Sequence, residues 1–412
     1  MRKVENNIAN TPGAFIEQAN KHSSRSPILD LVTEKLSNLG RALFNPMAIV
    51  KYKALSKNHI ITALALHFLE EHIKIYPKIE GALCKQGETS EEIGRFFKPK
   101  FSPGRSKEWD VLRNNFDLRN PQANLQLLNQ VYKSTSDPYL LQIRSAQILA
   151  KKLIPWCSDQ LKPGFKMDFP YVDELGKTSL VSYTLDEKID LWHGIPAFGF
   201  VDLEGKAPPL LVFRSTNNDI GGEDAPASLI ANFHPRGPAW KLYRNSKDRV
   251  EAWLKKNTFN GENKARIIGY SQGGTLASYF LTHHSQWVSQ KLNEPSYILD
   301  APGVFSELAE KWKSLKEQPN VECYVCRGDL LPKIGSEMIG RAFEITIPEK
   351  ISTYDSHTVL NLLAPSWTIT EIDIEKEKKS NVRQILSALH RNVGYAVYSL
   401  MKDTLLPMIR NI

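Results

Sequence analysis

The sequence predicts an α/β protein whose mostly parallel sheet lies between an N-terminal helical domain and a C-terminal helical tail. Three observations carry this expectation. Apolar residues recur at helical spacing up to about residue 165, and short β-rich runs alternate with helical patterns from about 180 to 347. A single amphipathic stripe then closes the chain. The expected division is 1–165, a basic helical domain; 166–370, the sheet-bearing domain; and 371–412, the tail.

A chain of 412 residues with 42% hydrophobic and 24% charged residues can bury a sizeable core and reads as globular. No window approaches the roughly 20 apolar residues of a membrane-spanning helix. The longest apolar stretch, 60–69, is broken by His67 and followed by Glu70 and Glu71. The first residues lack the apolar core of a secretory signal, so a cytoplasmic location is expected, with signal-independent secretion left open. Four cysteines do not make a disulfide scaffold. Cys323 and Cys326 have the spacing of half a zinc site, but on a strand they point to opposite faces, and Cys84 and Cys157 supply no second half. No metal or organic cofactor is expected.

The net charge of +8 is unevenly spread. Lysine plus arginine exceed aspartate plus glutamate by 8 over 1–160, fall short by 2 over 161–370 and exceed by 2 over 371–412. A basic segment can serve nucleic acid or an anionic membrane. Here the basic residues are scattered, lie in no nucleic-acid motif and do not alternate with aromatics, so solvated helical faces are expected. Membrane-surface contact stays open; a nucleic-acid partner is not expected.

Residues 59–75 and 122–133 repeat apolar side chains at helical spacing, and 98–104, with Pro99, Pro103 and Gly104, is the expected internal break. Ser136-Asp137-Pro138 reads as a helix start, a capping side chain followed by proline at the first helical position. Strands are expected at 180–184, 195–201, 210–213, 266–270, 297–299, 321–326 and 343–347. Helices are expected at 245–256, 273–284 and 306–316. A turn at 202–208 separates early runs and helices separate later ones, which suits a parallel sheet. Val382, Ile385, Leu386, Leu389, Val393, Ala396, Val397 and Leu400 form the closing stripe, expected to dock on the body of the protein. No internal repeat or low-complexity segment is evident.

The densest local chemistry is Gly269-Tyr270-Ser271-Gln272-Gly273, preceded by Ile267 and Ile268 and followed by a helical run. This is the pattern of a nucleophile elbow. A sharp strand-to-helix turn exposes the serine hydroxyl, and small residues on either side let the chain cross itself. A serine is inert near neutral pH without a base and a group to orient that base. His283 and His284 lie on the helix that leads away from Ser271, and His390 falls in the C-terminal stripe. His357, beyond the run at 343–347, is the base by elimination and by position. For the acid, Asp329 follows the run at 321–326 after the turn residue Gly328, and Asp300 follows the run at 297–299. Both stand at the carboxyl end of a strand. Asp329 is preferred, with Asp300 as the alternative.

Several segments, in order, resemble class 3 (fungal-type) triacylglycerol lipases. Phe213-Arg214-Ser215-Thr216 resembles their Phe-Arg-Gly-Thr/Ser segment, and His234-Pro235-Arg236-Gly237 is similar to their His-x-Gly-Phe. Gly269 through Gly274 resembles Gly-His-Ser-Leu-Gly-Gly, and Ala301-Pro302-Gly303-Val304 resembles their Pro-Arg-Val segment. Asp329-Leu330-Leu331-Pro332 is similar to Asp-x-Val-Pro, and His357 stands where the closing histidine is expected. The resemblance spans about 175–365 and implies an α/β-hydrolase-type fold with Asp329 as the acid. It also implies that the backbone N–H groups of Thr216 and Gln272 form an oxyanion hole, and that 217–238 occupies the place of a lid.

The expectation is therefore a serine hydrolase acting on a lipid or other apolar ester through Ser271, Asp329 and His357, without a cofactor. Ser215, which stands where the family has glycine, keeps a rival open. In that rival the hydrolase fold is catalytically weak and serves as a binding or effector module, with the basic helical region as its working part.

Overall fold

The computed structural model describes residues 120–391, apart from 218–223, 225–226, 229–230, 235, 259–262, 330, 349–352, 359, 365, 380–382, 385 and 388–389. The helical pattern at 59–75, the break at 98–104 and most of the closing stripe lie outside the described residues. Within the stripe, Leu386 is buried.

Among the described residues two capped helices come first. α1 (Pro121–Ser134) starts where the Asn120 side chain accepts from the Gln122 N–H at 2.9 Å. α2 (Pro138–Ile148) starts where Asp137 accepts from the Tyr139 and Leu140 N–H groups. Both place proline where no helical hydrogen bond is lost. α2 runs into a π-helical turn, Leu149–Leu153, and a last α-turn, Ile154–Cys157.

The strands β1 (Lys166–Val172), β2 (Thr178–Trp192), β3 (Ile195–Asp202) and β4 (Leu210–Phe213) pair antiparallel in succession. Their turns follow from local chemistry. Asp173 accepts from the N–H groups of Leu175 and Lys177, and Asp202 from those of Glu204, Lys206 and Ala207. His193 and Gly194, both at positive φ, form the two-residue turn whose twist matches that of its flanking strands. β5 (Arg266–Tyr270), β6 (Ser296–Leu299), β7 (Val321–Cys326) and β8 (Arg341–Thr346) then add in parallel, and β9 (Thr368–Glu371) closes antiparallel to β8.

The sheet is thus mixed, not mostly parallel as the sequence suggests. β1 to β4 are joined by connections too short to return the chain to its starting end, so each strand must reverse direction.

Strand order equals chain order. Right-handed crossovers that always step the same way put their helices on one face. α3 (Trp240–Asn257), α4 (Gln272–His283) and α5 (Ser306–Lys313) accordingly share one core, where Trp253, Phe280 and Trp312 meet Leu211, Ile267 and Cys323. The opposite face needs a different cover. Residues 121–157 supply it, with Leu128, Ile143 and Leu153 packed in one cluster with Val212, Ile268 and Tyr324. These helices, grouped by sequence with the N-terminal domain, form half of the sheet's own core. After β8 come the short helices α6 (Thr353–Thr358) and α7 (Ile374–Lys378).

Candidate active site

β5 ends at Tyr270 and α4 begins at Gln272, so Ser271 makes the whole turn between them. Its φ of 55° and ψ of −126° lie where side chains rarely sit. The turn is held on both sides: the Ser271 N–H donates to the Leu299 carbonyl at 3.0 Å, and its own carbonyl accepts from Gly274 and Thr275. The neighbouring glycines permit the crossing. A Cβ on Gly269 would lie 2.2 Å from the Gly273 oxygen, and one on Gly273 would lie 2.5 Å from the Phe213 oxygen.

His357, on α6, places Nε2 3.0 Å from the Ser271 hydroxyl and Nδ1 2.7 Å from Asp329 Oδ2. With Nδ1–H donating to the carboxylate, Nε2 is left to accept from the serine; this tautomer follows from the partners. Asp329 leaves β7 through Gly328, which sits at positive φ. Its side chain is fully buried, and its other oxygen accepts from the Leu331 N–H at 3.0 Å. Sheet, elbow and turn together define the architecture. It is an α/β-hydrolase-like fold.

Asp300 occupies the end of β6 but faces a different partner. Its carboxylate accepts from the Lys151 ammonium and from the Cys326 N–H, the latter at 2.7 Å. Burial pushes its pKa up, and the adjacent Lys151 charge opposes that rise. The structure does not bring Asp300 to the imidazole Nδ1, where Asp329 sits.

Thr216 and Gln272 are linked through one side chain. Asn232 donates to the Thr216 hydroxyl oxygen and accepts from the Gln272 amide, both at 2.9 Å. Ser228 adds a hydroxyl to the Gln272 Oε1 at 3.1 Å and offers its carbonyl to Gln272 Nε2 at 2.7 Å. Asp224 ties down the chain beyond β4 by accepting from Arg214 and Asn217 at 2.7 and 2.6 Å. Ser215 is buried in the same stretch. Among the described residues of the lid-like segment, Ala227, Ser228, Ala231 and Phe233 are buried, while Arg236 is exposed. His234, in that segment, is pushed down to about 4 by burial and by Lys241, Arg236 and Arg244.

Lys151, Asp224, Ser228 and Asn232 escape sequence reasoning. For Lys151 one signal exists, a lysine pair embedded in an apolar run, Ile148-Leu149-Ala150-Lys151-Lys152-Leu153-Ile154. For the others no spacing links them to the site. Among the described residues no group of three or more His, Cys, Asp or Glu is arranged to hold a metal ion. No helix among them is long and apolar enough to cross a membrane.

The Mbeg1-like family matches residues 240–397 of this chain, a stretch that includes Ser271, Asp329 and His357. A search of curated proteins finds no match. Among solved structures, the chain is similar to a triacylglycerol lipase from Penicillium expansum. The two share 13% identity with a TM-score of 0.31, over 51% of this chain and 78% of that one. A mutant form of MDLA from Penicillium cyclopium shows 15% identity and a TM-score of 0.36, over 66% and 98%. A lipase from Rhizopus microsporus var. chinensis shows 16% and 0.31, over 64% and 86%.

Proposed function

We propose that this protein hydrolyses carboxylic esters, with Ser271 as nucleophile, His357 as general base and Asp329 as the group that orients and balances the imidazole. The observation that carries the proposal is the continuous line from the Ser271 hydroxyl through the His357 ring to the buried Asp329 carboxylate, at 3.0 and 2.7 Å. Oγ attacks the ester carbonyl carbon while its proton moves to Nε2. The C–O bond to the alcohol then breaks, and the alcohol leaves with that proton. Water, activated by the same nitrogen, cleaves the acyl-serine and restores the hydroxyl.

Negative charge develops on the carbonyl oxygen at the start of α4, a helix of 12 residues whose N-terminal N–H groups favour an anion. Gln272 and Thr216 are the proposed donors there, held in relation to one another by Asn232. A lipid or other apolar acyl ester is the proposed substrate class, on the motif resemblance to class 3 lipases.

The test is labelling by a fluorophosphonate probe, which reacts with an activated serine whatever the natural substrate. The wild type is expected to label at Ser271. Ser271→Ala is expected to lose labelling and on the order of 10³-fold or more of esterase turnover, with its thermal midpoint near wild type. An unlabelled wild type, or labelling that survives in Ser271→Ala, rejects the assignment.

A further inference from the structure

The ester hydrolysis proposed above uses no residue before β1, yet one side chain from that region reaches the site. Lys151 lies in the π-helical turn after α2 with its side chain fully buried. We propose that Lys151 is a positioning residue for His357, so that the helices preceding the sheet complete the active site.

The Lys151 ammonium donates to the Asp300 carboxylate, to the His357 main-chain carbonyl at 3.3 Å and to Asn361 Oδ1 at 3.5 Å. It lies 5.1 Å from the centre of the Tyr270 ring. That tyrosine donates its hydroxyl to the same His357 carbonyl at 3.0 Å, and its ring centre lies 4.9 Å from that of the imidazole. Asp300 meanwhile takes the Cys326 N–H at the end of β7, the strand that leads to Asp329. One cation thus braces the ends of β5, β6 and β7 and grips the main chain of the histidine.

Burying an ammonium ion costs several kcal/mol in general, and an apolar side chain would fill the space as well. What an apolar side chain lacks is several hydrogen-bond donors on one atom. A π-turn widens a helix locally and is frequent at functional sites. Here it sets Lys151 and Lys152 both inward, against the usual preference of lysine for water.

A lysine that merely stabilises the fold and one that positions His357 respond differently to removal of the whole ion pair. Lys151→Met alone leaves Asp300 buried without its counter-charge and is expected to destabilise. Lys151→Met/Asp300→Asn removes both charges at similar volume and is expected to keep the fold. In the full-length double variant, kcat for a short acyl ester and the fluorophosphonate labelling rate should fall about 10²-fold, with KM held within about twofold. The His357 imidazole NMR signals should broaden. Wild-type kcat and an unchanged imidazole signal in the double variant would overturn the proposal and leave Lys151 a stabilising cation only.

If the wild-type serine does not label, the hydrolase assignment fails, and the imidazole signal alone still decides positioning. Broadening in the double variant supports it, and no change overturns it. Should the double variant not fold, Tyr270→Phe keeps the ring and removes the other donor to the His357 carbonyl. Its expected signature is the same in kind, a loss in kcat of about tenfold at constant KM, with the His357 signal broadened. A wild-type kcat and signal would overturn the proposal.

Discussion

β6 and β7 run side by side and each is followed by an aspartate, yet the two carboxylates sit in different chemistry. Asp329 meets the ring of a histidine from downstream, and Asp300 meets a lysine from upstream. Both are buried, and each accepts a backbone N–H with one oxygen. The strand end therefore supplies a carboxylate at a set height above the sheet, and the segment brought to face it decides what that carboxylate can do.

The comparison can be broken most sharply by removing one charge at a time. Asp329→Asn should cut ester turnover by about 10⁴-fold, the loss expected when the wrong imidazole tautomer is held. Its thermal midpoint should stay near wild type. Equal losses in kcat from Asp300→Asn would erase the distinction.

The next effect belongs to the other side. Asp300→Asn leaves the Lys151 ammonium buried without its counter-charge and should cost ~3–5 kcal/mol in urea unfolding. Its kcat should fall less than that of Asp329→Asn.

A smaller loss tests how tightly the β6 end is packed against the elbow. A Cβ on Gly274 would lie 2.5 Å from the Ala301 side chain, next to Asp300. Gly274→Ala should destabilise by ~1–3 kcal/mol, with proteolytic protection lost first around Asp300 and not around Asp329.

The smallest effect sets the background for any pH study of either carboxylate. Burial first, then nearby cations, hold both His234 and His283 down at about 4, against an ordinary value of 6.5. Between those values the unfolded chain binds protons that the folded chain does not. Their contribution to stability is therefore complete above about pH 6.5 and is lost on acidification toward about pH 4. His234→Gln and His283→Gln should each flatten this slope in urea midpoints measured across that range. A steeper slope in either variant would contradict the sign.

The parts of this site that were legible in the sequence are those fixed by chain connectivity. Ser271, His357 and the strand-end aspartates follow from short β-rich runs and the glycines that flank the serine, since helical crossovers on one face bring strand ends together. β1 and β9 were not anticipated. Both are edge strands paired on one side only, and β1 contains Pro170, a residue that argues against a strand unless an edge tolerates it. The short turns between β1 and β4 already imply reversals, so the mixed sheet could have been read from them. Lys151 was hidden for another reason. Counted with the basic excess of the first 160 residues, it was expected on a solvated helical face, and only the docking of α2 on the sheet shows where it goes. Asn232 likewise sits in a stretch, 217–238, that no spacing ties to the site.

A sheet laid down in chain order has a bearing on how this protein is made. Each strand finds its partner in the one just synthesised, so the sheet can lengthen from one edge as the polypeptide leaves the ribosome, without waiting for a distant segment. The helices that cover one face are already present when the first strand appears. The turn at Ser271 can therefore form early, but the imidazole that faces it lies 86 positions farther along. Until that segment is translated, the nascent chain carries the Ser271 turn without the imidazole that faces it.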